Sequence, residues 1–224
     1  FSRGFIKTGL GKRIAYNLIA AFGSSSLRLS YALALSDLIL APATPSNTAR
    51  VGGVIMPITT SLAKAFGSEP QNGPRKIGSF LMQSIYQVNT ITSAMFQTSM
   101  AGNTLVAALA LQSFGIGITW GDWAMAAIVP GIIALIIMPY FIYKVYPPEI
   151  KDAREAQQMI KEELKGLGKM SFQEWVMLGV FVLALVLWAT SQFTKIDATT
   201  VAFLGISILL ATSVLVWDDV KSEK

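Results

Sequence analysis

Ser46, Asn47 and Thr48 stand directly behind two prolines in the run Pro42-Ala-Thr-Pro-Ser-Asn-Thr-Ala49. Each proline lacks an N–H and restricts its predecessor, so a helix arriving from the N-terminal side must stop here. Ser46 has the short oxygen side chain of an N-cap, so a new helix can begin at once. Hydroxyls and a carboxamide both donate and accept hydrogen bonds. At a helix N-terminus, where N–H groups and partial positive charge are exposed, they can hold a carboxylate; through their oxygens they can also serve a cation. A second polar cluster, Thr98-Ser-Met-Ala-Gly-Asn103, has similar composition, with Gly102 expected as a helix stop and Asn103-Thr104 as the cap of the next helix. Asp37 and Arg50 flank the first cluster and are expected either to serve a ligand or to neutralise each other. The plainer reading is a soluble helix corner, in which Ser-Asn-Thr is capping chemistry alone.

The solvent decides between these readings. Of the 224 residues, 53% are hydrophobic and 14% charged, against about 25% charged in soluble domains. Residues 123–143, 175–190 and 198–217 carry no charge, and about 20 apolar residues cross a hydrocarbon core of about 30 Å. The chain therefore reads as an all-α integral membrane protein. It has no Cys and no His, which excludes disulfides, thiolate chemistry and His-based metal or proton chemistry within it. The net charge of +5 is read as the positive-inside excess of a membrane protein, not as a nucleic-acid surface.

Seven segments follow from this. Residues 1–26 read as a cytoplasmic interfacial segment, amphipathic over 14–22. Residues 27–66 form a hairpin whose first arm, about fourteen residues or roughly 21 Å, is too short to span, so it is expected to be re-entrant. Residues 77–112 are too long for one span and carry Gln87, Asn89, Thr90, Thr92, Ser93, Gln97 and Thr98, a density that cannot face lipid. They are read as a transmembrane helix broken at 98–103, a device by which transporters bind ions and substrates near the midplane. Residues 123–146, 172–193 and 198–217 are expected to span. Residues 149–168 read as a cytoplasmic interfacial helix, with an apolar stripe of Ala153, Ala156, Ile160, Leu164 and Leu167. Placing 1–13, 64–76, 144–169 and 221–224 on one side collects four, three, six and two Lys/Arg, against Lys195 alone opposite. That makes the first side cytoplasmic. The chain begins at Phe1 without a signal-peptide pattern and is expected to be an internal piece of a longer protein.

The run Tyr31-Ala-Leu-Ala-Leu-Ser-Asp-Leu-Ile-Leu-Ala-Pro-Ala-Thr-Pro-Ser-Asn-Thr-Ala-Arg50, with Gly9-Leu-Gly-Lys-Arg13 before it and Arg75-Lys-Ile-Gly78 after it, closely resembles the divalent-anion:sodium symporter family. Within that family the chain is most similar to the branch of bacterial citrate/succinate-type antiporters and plastid 2-oxoglutarate/malate translocators. The resemblance covers nearly the whole chain. It implies a secondary active transporter of di- or tricarboxylates such as 2-oxoglutarate, malate, succinate or citrate, working by exchange or sodium-coupled symport, and not an enzyme. It also implies an elevator-type homodimer with two inverted repeats, each bearing a re-entrant hairpin with a Ser-Asn-Thr tip and a broken helix. This chain would hold one repeat and the start of the next. Ser46 and Asn47 match the family's ion-ligand positions, and Asn47 and Thr48 its carboxylate-binding positions. Thr98, Ser99, Gly102 and Asn103 match the second ion-coordinating segment. No prosthetic group is implied, only Na⁺ as a coupling ion, and the location implied is a bacterial inner membrane or a plastid inner envelope. Two departures lean toward exchange: Pro42 where sodium-dependent members often carry Ser or Thr, and Thr-Ser-Met-Ala-Gly-Asn in place of a Gly/Pro-rich loop.

Other classes fit less well. A sulfate-type permease of the same family is the alternative within it. A membrane-embedded protease lacks His and has only Asp37 near a span, and the coupling-helix pattern of an ABC permease is not matched around Glu155-Ala156-Gln157.

Overall fold

The computed structural model describes residues 2–221; Phe1 and residues 222–224, including Lys224 of the expected C-terminal basic group, lie outside the described residues. The described chain is helical and contains no β-strand. Helices α1 (Ser2–Thr8) and α2 (Leu10–Phe22) meet at Gly9, whose φ of 77° needs a residue without a Cβ. Helix α3 (Ser26–Leu40) runs into a 3-10 turn at Ala41–Ala43. The chain restarts as α4 (Asn47–Arg50), passes through a π-helical turn at Val51–Ile55 and continues as α5 (Met56–Ala65). Helix α6 (Gly78–Met95) is separated from α7 (Ala101–Phe114) by a 3-10 turn at Gln97–Ser99. There follow α8 (Trp120–Val145), α9 (Arg154–Gly166), α10 (Phe172–Ala189), α11 (Ser191–Thr194), α12 (Ala198–Ala211) and α13 (Trp217–Lys221).

Apolar periodicity decides the packing. The amphipathic α2 turns Leu10, Ala15, Tyr16 and Ile19 inward and lies against α3 and α9. From the stripe expected on the charged helix, Ala153, Ala156 and Ile160 are buried, whereas Leu164 is half-buried and Leu167 exposed. Helix α6 packs along α8, α3 lies between α2 and α6, and α10 pairs with α12. Leu29, Leu33, Leu40, Ile55, Leu62, Phe80, Leu81 and Trp188 form the deepest part of the core. Gly131 lets α8 pack closely on α6, since a Cβ there would lie 2.6 Å from Met95 Cγ.

Helix α8 is 26 residues long, roughly 39 Å at 1.5 Å per residue, and its ends mark two ends of the molecule. At its C-terminal end, Glu149 and Ile150 N–H groups donate to the Arg75 and Lys76 carbonyls, Ser26 N–H to Lys151 O, and Ala153 N–H to Ser24 O. The basic loops are thereby stitched together, and α3 leaves from the end to which α5 returns. Arg13 reinforces this end. Its guanidinium pairs with Glu174 and donates to the carbonyls of Leu167, Gly168 and Lys169, which ties α2 to the corner between α9 and α10. At the opposite end, Gln192 Nε2 donates to Asp122 Oδ1 at 2.7 Å.

Helix α9 covers only Arg154–Gly166 of the 149–168 expected and α10 ends at Ala189 within 172–193, and three further boundaries differ from the sequence reading. The break falls at 96–100, not 98–103, and Gly102 lies inside the first turn of α7 instead of stopping a helix. The polar side chains themselves end α6: Ser99 and Asn103 donate to the carbonyls of Ser93 and Phe96. The apolar stretch 198–217 is helical only to Ala211, because Ser213 turns at φ 57° and Leu215 N–H donates back to Leu209 O at 3.0 Å. Helix α8 begins at Trp120, ahead of the 123 expected, because Thr119 and Asp122 form a reciprocal capping box.

Candidate functional site

Pro42 and Pro45 bring α3 to its stop, and Ser46, in extended backbone, is the N-cap of the helical run over 47–65. Ser46 Oγ accepts from Ala49 N–H at 3.2 Å, and Asn47 Oδ1 accepts from Thr48 N–H at 2.9 Å. The sequence assignment of Ser46 as a cap therefore agrees with the geometry. Among the described residues, Asn47 Nδ2 and the Thr48 hydroxyl have no protein partner; Asn47 is half-buried and Thr48 exposed. These are the side-chain donors of the tip left without a protein partner, at a helix N-terminus whose Thr48 and Ala49 N–H groups are already capped.

Directly behind the tip lies Arg50, its side chain fully buried, paired with Asp37 at 2.8 Å. A guanidinium has five N–H donors. Here Nε donates to Asp37 Oδ1, Nη1 to the carbonyls of Thr44 (3.2 Å) and Ser99 (3.3 Å), and Nη2 to the hydroxyls of Thr92 (3.2 Å) and Ser93 (3.1 Å). Asp37 is answered in turn by the Thr92 hydroxyl and by Asn89 Nδ2. The two charges cancel locally, and of the two roles open to them in the sequence they take mutual neutralisation. One residue therefore ties together the first arm, the turn, α6 and the break.

The break reaches the tip by a second route. The Thr98 hydroxyl donates to the Pro42 carbonyl, and Thr98 Oγ1 accepts from the Trp120 indole N–H at 2.9 Å. The Ser99 hydroxyl and Asn103 Nδ2 each lie within hydrogen-bonding distance of the Ser93 and Phe96 carbonyls, the Asn103 contacts being 2.7 and 2.9 Å. Gly102 brings no side chain and sits against Met100. The structure thus gathers Thr98, Ser99 and Asn103 beside the turn that precedes Ser46, and engages their side chains with protein carbonyls. Trp120 and Phe96 were not singled out from sequence. The usable signal was Thr119-x-x-Asp122, a capping box that fixes a tryptophan at the first position of a helix.

These features define a class: an all-helical membrane segment in which a helix–tip–helix unit and a broken helix are bolted to each other. Helices α8 and α10 are long and apolar enough to cross a bilayer. The chain belongs to the family described as "Sodium:sulfate symporter transmembrane region", which matches residues 1–224, in agreement with the divalent-anion:sodium symporter motif, and it is a multi-pass membrane protein. It is 54% identical over 224 residues to the Bacillus subtilis protein named "Putative malate transporter YflS", covering 100% of this chain and 47% of that protein. It is 48% identical over 223 residues to "Inner membrane protein YbhI" of Escherichia coli, covering 100% of this chain and 46% of that protein. It is 46% identical over 224 residues to "Dicarboxylate transporter 1, chloroplastic" of Spinacia oleracea, covering 100% of this chain and 39% of that protein. The chain thus spans about half the length, or less, of the curated relatives it matches.

Proposed function

We propose that this chain supplies one half of the binding site of a transporter that carries di- or tricarboxylate anions across a membrane, by exchange. The observation that carries the reading is the pair of unpartnered groups at the tip, Asn47 Nδ2 and the Thr48 hydroxyl, at the start of a long helical run. A carboxylate has lone pairs that these donors and the Asn47 N–H can meet, while the Thr48 and Ala49 N–H groups are taken by the caps and the Arg50 charge behind the tip is matched by Asp37. Relatives named as malate and dicarboxylate transporters support the substrate class. The second half of the site is proposed to lie outside this chain, on a second Ser-Asn-Thr tip, in a homodimeric elevator-type assembly in which 27–66 is re-entrant.

Exchange is favoured over sodium coupling by what surrounds the break. A sodium ion needs several oxygen ligands, and two of the oxygens at the break are already engaged as acceptors: Thr98 Oγ1 by the Trp120 indole N–H and the Ser99 carbonyl by Arg50. The test of the site is Asn47→Ala in the full-length protein, reconstituted in vesicles preloaded with dicarboxylate. Exchange should fall to background while the protein keeps its elution profile and thermal stability; uptake equal to wild type would remove Asn47 from the site. A sulfate carrier would show competition by sulfate but none by malate or 2-oxoglutarate.

A further inference from the structure

Trp120 lies outside both the tip and the break, yet it is held more tightly than an anchoring tryptophan at a lipid surface would be. It is 8% exposed and sits between two rings: Phe96, at a centroid distance of 5.6 Å, and Trp188, at 6.2 Å, both within 15° of parallel. Phe96 begins the break, and Trp188 lies in the last turn of α10. The Thr119–Asp122 capping box places Trp120 at the first position of α8, and Gln192 holds Asp122 from the far side. The indole N–H then has one direction left, into Thr98 Oγ1 at 2.9 Å.

The Thr98 hydroxyl has a single hydrogen and can also accept. Because Trp120 supplies the hydrogen bond that Thr98 accepts, the Thr98 hydrogen is directed at the Pro42 carbonyl. That carbonyl lies past the last turn of α3, where helix carbonyls lose their partners. Three groups in line, indole, hydroxyl and carbonyl, thus connect α8 to the turn that presents Asn47 and Thr48. We propose that Trp120 is a positioning residue for the tip: through Thr98 it sets where the Pro42–Pro45 turn sits, and so the geometry of the carboxylate donors, a role that rests on the function proposed above.

Two variants separate the hydrogen bond from the packing. Trp120→Phe keeps an aromatic ring and removes the N–H; Thr98→Val keeps the shape and removes both hydrogen bonds, while Thr98→Ser restores them. In the full-length protein, Trp120→Phe should raise the KM for dicarboxylate roughly threefold to tenfold, the loss of one hydrogen bond, with a smaller change in maximal rate. Thr98→Val should do at least as much, and Thr98→Ser, which restores the hydroxyl, should recover most of that loss. The double variant should be no worse than Thr98→Val alone, because both changes act through one hydroxyl. Hydrogen–deuterium exchange needs no ligand: peptides covering 42–50 should take up deuterium faster in both single variants. Unchanged tip exchange in Trp120→Phe and Thr98→Val, or additive effects in the double variant, would overturn the proposal, as would an unchanged KM in a protein whose wild type transports. If the wild type exchanges no dicarboxylate, the proposed function falls, and the deuterium measurement still decides the role of Trp120.

Discussion

Arg50 can carry a buried charge because every N–H it owns has an acceptor and its charge faces a carboxylate. Removing one member of such a pair leaves the other unpaired in a dry site, at a cost of about 3–5 kcal/mol, whereas replacing both by apolar groups is often nearly neutral. Arg50→Met alone should therefore lower the melting temperature of the full-length protein more than Arg50→Met combined with Asp37→Leu, measured by loss of monodisperse protein on heating. Equal losses in single and double variants would show that the charges are not coupled. Arg50→Lys should be damaging too, since an ammonium has three donors for five acceptors. The sequence made the Asp37–Arg50 pairing legible because these are the two charges nearest the tip, Arg28 and Lys64 lying at the far ends of the arms. It hid the rest: Thr92, Ser93 and Ser99 lie 42, 43 and 49 residues further along. No local pattern announces that separation.

Among the elements, the longer helices were readable, whereas helix ends and the short helices α1, α11 and α13 were not. The proline stop before Ser46 follows from missing N–H groups and is present in the structure, and the apolar stripe read from spacing is present in its first part, Ala153, Ala156 and Ile160, but not at Leu167. The end of α6 was misplaced because Gly102 suggested a stop, whereas Ser99 and Asn103 terminate that helix by taking its carbonyls. The early end of α12 depends on Val214 and Leu215 tucking into the core, a tertiary preference with no breaker residue to signal it. Close packing of α6 on α8 has one sharp requirement. A Cβ at Gly131 would meet Met95 Cγ at 2.6 Å, Sδ at 2.7 Å and Cε at 2.8 Å, so this side chain cannot simply swing its tip away. Gly131→Val should destabilise by about 1–3 kcal/mol through overpacking, and Met95→Ala in the same chain should recover part of the loss. A thermal shift of the single variant within error of wild type would mean that the helices can separate freely.

For the molecule as a whole, the hydrogen-bonded basic loops give it a Lys/Arg-rich end and an end with Lys195 alone, the asymmetry by which membrane proteins orient. Carrier mode is a property at this scale. Replacing external Na⁺ by choline should leave uptake into dicarboxylate-loaded vesicles unchanged, while omitting the internal dicarboxylate should abolish it; the reverse pattern would establish symport. The two buried arginines also differ in when they can be neutralised as the chain is made. Asp37 precedes Arg50 by 13 residues, so that pair can close within the hairpin as soon as it forms. Glu174 follows Arg13 by 161 residues, so Arg13 has no carboxylate partner until the start of α10 has been synthesised. An unpaired guanidinium stays in water. Helix α2 must therefore wait at the aqueous surface until α10 has been made, and the Arg13–Glu174 contact records that docking.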